Sequence, residues 1–159
     1  MIYFTTFIFT LLLSHVARAV PCGDVASPQG LYNTGQPILS TYKVTWDDTY
    51  DNPNGNTNGV ACSNGPNGLA AEYPYFESFP DFPYLGGAFD VKWGSPNCGK
   101  CWKLTNTQTS RWIYFTAIDA TGGGFNIGKN AFIALNGGTV GNGTLEAEAI
   151  SVSGHHCGF

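Results

Sequence analysis

Turn-forming residues interrupt this chain at such short intervals that long helices are excluded. The 159 residues include 21 Gly and 9 Pro. Residues 51–59, DNPNGNTNG, consist mainly of Asn and Gly, which favour positive φ angles and side-chain turns. The apolar segments between the turns are short. This spacing predicts several short strands with one or two short helices, which is typical of a mainly β protein of the barrel class.

Four segments have the composition of strands: residues 43–46, 89–93, 102–105 and 111–119. The last of these is apolar in both alternations, as expected for a central strand covered on both faces, and Asp119 stands at its end. A further strand is predicted near the C-terminus, at residues 145–152. There Ile150 and Val152 fall out of phase with the preceding alternation, which indicates a β-bulge.

Helices are predicted at two places. Residues 72–79 form a short helix that Pro80 ends. A stronger pattern covers residues 127–135, with Asn126 as the N-cap and Gly137 just beyond the last turn. The apolar face of this helix consists of Ala131, Phe132 and Leu135.

Charged residues make up only 11% of the chain, whereas aromatic residues make up 14%. So many aromatic rings exclude a disordered chain. The formal net charge of -4 provides no basic field for a nucleic-acid duplex or an anionic membrane surface, so neither is expected as a partner. The surface must take its polarity from Asn, Thr, Ser and Gly, and it has aromatic rings in excess.

The N-terminus has the features of a secretory signal. Residues 2–13 form an apolar run, and residues 17–19, ARA, have the small-x-small pattern that signal peptidase cleaves. Residues 1–19 are therefore predicted to be a signal peptide, with a buried N-terminal element as the alternative. The run is too short to span a bilayer, which takes about 20 apolar residues. Residues 20–41 are predicted to be a flexible linker or propeptide, and residues 42–159 the folded domain of a secreted, extracellular or cell-wall protein.

The cysteines fit this compartment and are Cys22, Cys62, Cys98, Cys101 and Cys157. Four oxidised cysteines allow three pairings, between which the spacing does not choose. The spacing of Cys98 and Cys101 also matches a redox dithiol, but a predicted strand follows where such a pair would open a helix. A zinc site using His155 or His156 lacks a second short-spaced pair of ligands. No metal or cofactor is expected, because the glycine run at residues 122–124 also lacks the Lys of a phosphate loop.

Five short motifs occur in an order and with gaps that resemble one known family. They are residues 60–69 (VACSNGPNGL), 82–87 (FPYLGG), 93–105 (WGSPNCGKCWKLT), 117–119 (AID) and 124–127 (GFNI). Together they resemble the cerato-platanin family of small secreted fungal proteins, from about residue 43 to the C-terminus. The resemblance implies a six-stranded double-psi β-barrel, similar to that of expansins. It also implies the disulfides Cys62–Cys98 and Cys101–Cys157.

The resemblance further implies a carbohydrate-binding, expansin-like protein. Such a protein acts on chitin, N-acetylglucosamine oligomers or cellulose surfaces without hydrolysing them, and several members are recognised by plants as elicitors. A plant immune receptor is therefore a further expected partner. The chain departs from the pattern at Asn64, where many members carry Asp, and at Cys22, which lies outside the family's module. We expect a monomer, with a dimer through Cys22 as the alternative.

Sugars stack on aromatic rings and accept or donate hydrogen bonds at their edges. The candidate carbohydrate-binding residues are Trp46, Asp47, Tyr50, Asn67, Gly68, Asp119 and Asn126. The alternative interpretation is that Trp46 and Tyr50 are core aromatics and that Asp119 anchors a turn. A sequon at Asn142, in Gly-rich surroundings, predicts an accessible N-glycosylation site.

Two other functions stay open at this point. In a weak glycan-cleaving enzyme, Asp119 would be the acid and would need a second carboxylate, for which Asp47, Asp51 and Asp90 are available. We predict no hydrolysis, because no second acid stands in a matching motif. In a surface-active wall or film-forming protein, the aromatic rings would instead face an interface.

Overall fold

The computed structural model describes residues 39–159, which form six β-strands and one α-helix. The elements are β1 (Ser40–Asp47), β2 (Leu85–Ala88), β3 (Lys100–Asn106), β4 (Trp112–Ala120), β5 (Phe125–Gly128), α1 (Lys129–Leu135) and β6 (Thr144–Val152). The predicted signal peptide, most of the predicted linker and Cys22 lie outside the described residues. No helix within the described part is long and apolar enough to cross a membrane.

The six strands close into a barrel in the order β1-β5-β2-β4-β3-β6, and β6 pairs back to β1. The β1–β5 and β2–β4 pairs are parallel, and the remaining four pairs are antiparallel. Closure leaves no barrel strand with an unpaired edge. A closed barrel of six strands with one helix and two disulfides confirms the expected fold.

The interior of the barrel is filled by alternate side chains of its strands. In β4 these are Ile113, Phe115 and Ala117, all of which are buried in the larger hydrophobic cluster. The buried face of α1 joins the same cluster, and it consists of the predicted residues Ala131, Phe132 and Leu135. Full burial of a large apolar side chain contributes about 1.5–3 kcal/mol, so this interior stabilises the barrel strongly.

A second hydrophobic cluster lies outside the barrel, beneath residues 48–84, which we call the connecting segment because they join β1 to β2. Its buried members are Tyr50, Phe76, Phe79, Leu85 and Ile118. Ile118 alternates with the interior residues of β4, so the central strand is covered on both faces, as predicted. The connecting segment contains three short 3-10 helices, Asp48–Asp51, Thr57–Gly59 and Phe76–Ser78.

The two disulfides join segments that are far apart in the sequence. Cys62 of the connecting segment is bonded to Cys98, and Cys101 of β3 is bonded to Cys157 beyond β6. The pairing is the one implied by the resemblance. Each closed loop, of 36 and 56 residues of sequence separation, stabilises the fold by about 4 kcal/mol in the chain-entropy model.

The prediction for residues 126–135 is wrong at its N-terminal end. The helix starts at Lys129, and Asn126 is a strand residue of β5 whose side-chain oxygen accepts a hydrogen bond from the Thr45 hydroxyl at 2.9 Å. Pairing of β5 with β1 and β2 closes the barrel, and this overrides local helix propensity. At the first turn of α1, the acceptor is instead the Asp51 carboxylate, which accepts a hydrogen bond from the Asn130 amide at 3.2 Å.

The strand predicted at residues 89–93 is also wrong, because β2 ends at Ala88 and a turn follows. Gly86 explains why β2 lacks a strand-like composition. A Cβ atom at Gly86 would lie 2.6 Å from the Asn126 carbonyl oxygen, so only glycine allows β2 and β5 to approach so closely.

Two smaller predictions also need correction. Residues 72–79 contain only the 3-10 helix Phe76–Ser78. Strand β6 pairs in continuous register with both neighbours, so it has no bulge, and Ile150 lies half-buried on the outer face of the barrel. The register shift occurs instead between β2 and β4, at Gly86 and Gly87.

Candidate functional site

Asp119 fastens the connecting segment to the end of β4. One carboxylate oxygen accepts a hydrogen bond from the Tyr50 hydroxyl at 3.0 Å, and the other accepts from the amides of Ala61 at 2.9 Å and Ala120 at 2.8 Å. Burial, and then the negative charge of Asp119, raise the pKa of Tyr50 well above its ordinary value, so this hydroxyl remains a donor. Asp119 therefore anchors a turn, which was the alternative interpretation of this residue.

The loop that follows Ala61 is fixed at several further points. The Cys62 amide donates to the Ile118 carbonyl at 3.0 Å, and the Cys62 side chain is held by its disulfide. The Leu69 amide closes the loop onto the Cys62 carbonyl at 2.8 Å. A loop with so many constraints loses little conformational entropy when a ligand binds.

A cleft of about 350 Å³ opens in this loop, and we call it the first cleft. It is lined by Asn58, Ser63, Asn64, Gly65, Gly68, Ala70 and Ala71. A Cβ atom at Gly68 would lie 2.4 Å from the Asn64 Cα atom, so the cleft wall requires glycine there. The lining combines amide and hydroxyl groups with small apolar groups and carries no charged side chain.

Trp93 stands beside the first cleft with 63% of its surface exposed. Its indole N–H donates to the Asn64 side-chain oxygen at 2.9 Å. Its ring packs over Gly65, where an added Cβ atom would lie 3.2 Å from the ring and where φ is +91°. The predicted residue Asn67 fixes the backbone next to Trp93, because its side-chain N–H donates to the Gly94 carbonyl at 3.0 Å. The indole is therefore exposed and yet held in one orientation.

The predicted binding residues fall into two groups. Tyr50, Asn67, Gly68 and Asp119 build or brace the loop around the first cleft. The other three do not line the first cleft, and they lie on or at the end of the β1–β5 pair: Trp46, Asp47 and Asn126.

Trp46 and Asp47 have contacts of their own. The Trp46 ring lies 5.0 Å from the Lys129 ammonium group. Asp47 caps the 3-10 helix Asp48–Asp51 by accepting from the Thr49 amide at 2.9 Å, and hydrogen bonding by Thr49 lowers the pKa of Asp47. Sequence reasoning missed Trp93 and Asn64 as a pair. The available signal is the turn sequence of residues 94–96, GSP, directly after Trp93, whereas the predicted strand 89–93 places Trp93 itself at a strand end.

The carboxylates considered as partners of Asp119 are engaged elsewhere. Asp51 accepts from the Asn130 amide at the start of α1. Asp90 forms an ion pair with Lys100 at 2.9 Å. Asp47 caps its 3-10 helix, as described above. Each of these three carboxylates therefore has a structural hydrogen-bond or ion-pair partner of its own.

The remaining sequence motifs are placed as follows. Cys98 and Cys101 have different disulfide partners, so they form neither a dithiol nor a zinc pair. His155 and His156 are exposed in the 3-10 helix Gly154–Cys157. Within residues 39–159, no three His, Cys, Asp or Glu side chains are grouped as a metal site. Asn142 is exposed in the turn before β6, and its glycosylation stays a prediction.

The model of the cerato-platanin family matches residues 42–159. The chain belongs to this family. It is 47% identical over 116 residues to Allergen Asp f 15 of Aspergillus fumigatus, a match that covers 72% of this chain and 75% of that protein.

Solved structures of cerato-platanins agree with this assignment. The crystal structure of cerato-platanin 2 from M. perniciosa superposes with a TM-score of 0.70 at 39% identity, over 76% of this chain and 100% of the other. The solution structure of the fungal elicitor Cerato-Platanin has a TM-score of 0.67 at 35% identity, over 72% of this chain and 95% of the other. The family expected from the sequence motifs is thus confirmed.

Proposed function

We propose that the protein is a secreted, non-hydrolytic glycan-binding protein that acts in an expansin-like manner on chitin, N-acetylglucosamine oligomers or cellulose surfaces. The observation that carries this proposal is Trp93, an exposed indole held rigidly beside an uncharged cleft. An indole face fits the apolar face of a pyranose ring. The Asn and Ser side chains of the first cleft supply donors and acceptors for the sugar hydroxyls.

Rigidity supports the same proposal. The Asn64 hydrogen bond and the packing on Gly65 fix the indole before any ligand arrives, and the Cys62–Cys98 disulfide fixes the loop beneath it. Preorganisation reduces the entropic cost of binding. An uncharged cleft on a chain with few charged residues suits a neutral polysaccharide better than a charged ligand.

Secretion rests on the predicted signal peptide and on the two disulfides, which are typical of oxidising compartments. The related protein whose solution structure is known is described as a fungal elicitor. We infer that this chain is also recognised by plants as an elicitor, through a plant immune receptor.

The deciding experiment is a titration of the mature protein with an N-acetylglucosamine trimer by isothermal calorimetry. Replacement of Trp93 by Ala is expected to reduce affinity at the first cleft at least tenfold, because the stacking platform is removed. Tyr75→Ala is a matched control, since Tyr75 is likewise an exposed aromatic residue, at 48%, but makes no contact with Asn64 or Gly65 of the first cleft. Equal affinity of the Trp93 variant and the wild type would refute the role of Trp93.

A surface-active, film-forming function is the second candidate, and exposed apolar residues favour it. Among residues 39–159, six large apolar side chains are exposed, namely Leu39, Tyr75, Phe89, Trp93, Trp112 and Phe159. Strong lowering of surface tension together with a flat sugar titration would favour this function over glycan binding.

A weak glycan-cleaving activity is tested separately. Incubation of wild type with chitin and cellulose should release no reducing ends. Release that disappears in Asp119→Asn would show instead that Asp119 is an acid catalyst.

A further inference from the structure

A second cleft lies on the outer face of β4, at the end of the strand opposite to Asp119. Residues Trp112, Tyr114, Thr116 and Ile118 alternate with the interior residues and so face outward. The connecting segment covers Ile118 with its hydrophobic cluster and covers Thr116 with Asp81. Trp112 and Tyr114 lie beyond this cover. They line a cleft of about 340 Å³ together with Asp81, Tyr84, Ile113 and His156.

The two rings of the second cleft are supported by neighbouring groups. Trp112 is 54% exposed, and the Lys103 ammonium group lies 5.0 Å from its ring. Tyr114 stacks on His156 with ring centroids 4.6 Å apart. The Trp112 and Tyr114 rings are inclined at 60° with centroids 5.1 Å apart, so they form two walls of an angled aromatic surface. Neither ring belongs to a buried hydrophobic cluster, so core packing does not account for an exposed tryptophan here.

Asp81 lines the same cleft with a carboxylate that is only partly paired. Its Oδ2 atom accepts a hydrogen bond from the Thr116 hydroxyl at 2.7 Å, whereas its Oδ1 atom is buried and has no hydrogen-bond partner. A carboxylate beside an apolar surface favours a ligand that carries an N–H or O–H group.

We propose that the second cleft binds an N-acetylhexosamine residue of the same glycan that the first cleft binds. Its pyranose face and acetamido methyl group would contact the Trp112 and Tyr114 rings, and its acetamido N–H would donate to the Asp81 carboxylate. The Lys103 ammonium group beside Trp112 offsets the charge of the Asp81 carboxylate, so the second cleft suits a neutral N-acetylated sugar. This proposal rests on the proposed function, because it assumes a glycan ligand.

Two clefts at opposite ends of one strand allow the protein to hold two glycan chains at once. The Cys62 amide binds the Ile118 carbonyl beneath the first cleft, and Trp112 lies six residues away in the second. At roughly 3.3 Å per residue, these points of β4 are about 20 Å apart. Binding of two neighbouring chains would raise the overall affinity for a polymer surface far above that for a short oligomer.

The test is the stoichiometry of N-acetylglucosamine trimer bound by the mature protein, measured by equilibrium dialysis. Wild type should bind two trimers, whereas Trp112→Ala and Trp93→Ala should bind one each. Asp81→Asn keeps the volume of the side chain and should weaken only the second site, at least tenfold. Tyr75→Ala should retain both sites. Thermal melting of each variant checks that it is folded.

The outcomes separate the two proposals. One trimer on the wild type, lost in Trp93→Ala and kept in Trp112→Ala, would overturn the second site and leave the proposed function intact. No binding to the wild type would overturn both. A glucosamine trimer that binds the Trp112-dependent site more tightly than the N-acetylated trimer would overturn the ligand assigned here. Clustering of chitin particles gives a further test. Wild type should cluster the particles, whereas Trp112→Ala and Trp93→Ala should each bind them without clustering. This result would support two sites on one molecule.

Discussion

The barrel and the connecting segment are held together in different ways. Each barrel strand pairs with two neighbours, and their alternate side chains share one interior. The connecting segment has no strand in the barrel sheet. It depends on the Cys62–Cys98 disulfide, the hydrogen bonds of Asp119 with Tyr50 and Ala61, and a small cluster around Phe76. Both clefts include residues of the connecting segment.

This difference divides the binding groups between the two regions. The closed barrel gives a fixed frame and carries Trp112 and Tyr114 on β4, whereas the less regular segment provides the small polar side chains of the first cleft, as is common for loops on rigid scaffolds. The segment must nevertheless be ordered, because it lines the first cleft, holds Trp93 through Asn64 and contributes Asp81 to the second cleft. Variants that loosen one region without the other therefore measure how independent the two regions are.

The largest effects are expected from truncations of the two hydrophobic clusters. Phe115→Ala in the barrel and Phe76→Ala in the connecting segment each remove a fully buried ring, at a cost of about 3–5 kcal/mol. Phe115→Ala should lower hydrogen-exchange protection in every strand. Phe76→Ala should lower it in the connecting segment first, because that cluster lies outside the barrel. Equal loss in all strands for both variants would show that the two regions unfold as one unit.

A smaller effect is expected from the loss of the Asp119 anchor. Asp119→Ala leaves the Tyr50 hydroxyl and the Ala61 amide without their acceptor, which should destabilise the connecting segment by about 2–4 kcal/mol. Affinity for an N-acetylglucosamine trimer should fall even though Asp119 does not line the first cleft. Hydrogen exchange of the Ala61 and Cys62 amides reports the loosening. Unchanged exchange at these amides would contradict the anchoring role.

The smallest effect concerns pH and Asp81. Burial raises the pKa of Asp81 from 3.8 to about 6. The folded protein therefore binds this proton more tightly than the unfolded chain, so the free energy of unfolding should decrease as pH rises from about 4 to about 6 and then level off. Because the side chain is partly exposed, we expect Asp81→Asn to increase the free energy of unfolding at pH 7 by only about 1–2 kcal/mol.

Urea denaturation of both proteins between pH 4 and pH 7 measures this effect. Groups other than Asp81 contribute alike to both curves, so the difference between the curves isolates Asp81. A difference that stays constant across this range would mean that Asp81 has an ordinary pKa.

The sequence predicts the barrel better at some strands than at others. Strands β1, β3 and β4 were identified from their composition because their side chains fill the interior or cover it. Strand β2 was missed because Gly86 and Gly87 leave no apolar pattern, although close backbone contact requires them. The sequence pattern predicts a helix from Ile127 and so misses the end of β5, because the role of this strand depends on partners far away in the sequence.

The site was only partly predictable for a similar reason. Asp119 was identified because a charge at the end of a buried strand has few explanations. Trp93 and Asn64 form one unit across 29 residues of sequence, and Asp81 meets Thr116 across 35. Pairings of this kind leave no local pattern, so they appear only in the folded chain.

The distribution of the four tryptophans gives the molecule optical reporters of its own. Trp93 and Trp112 are exposed, each at a different cleft, whereas Trp102 is buried and Trp46 is partly buried. Emission from the two exposed indoles should lie at longer wavelength than that of Trp102 and should be quenched readily by iodide. A bound sugar that covers one indole would protect only that indole from iodide. Iodide quenching of single-tryptophan variants can therefore follow each cleft separately on a polymer surface, without any added label.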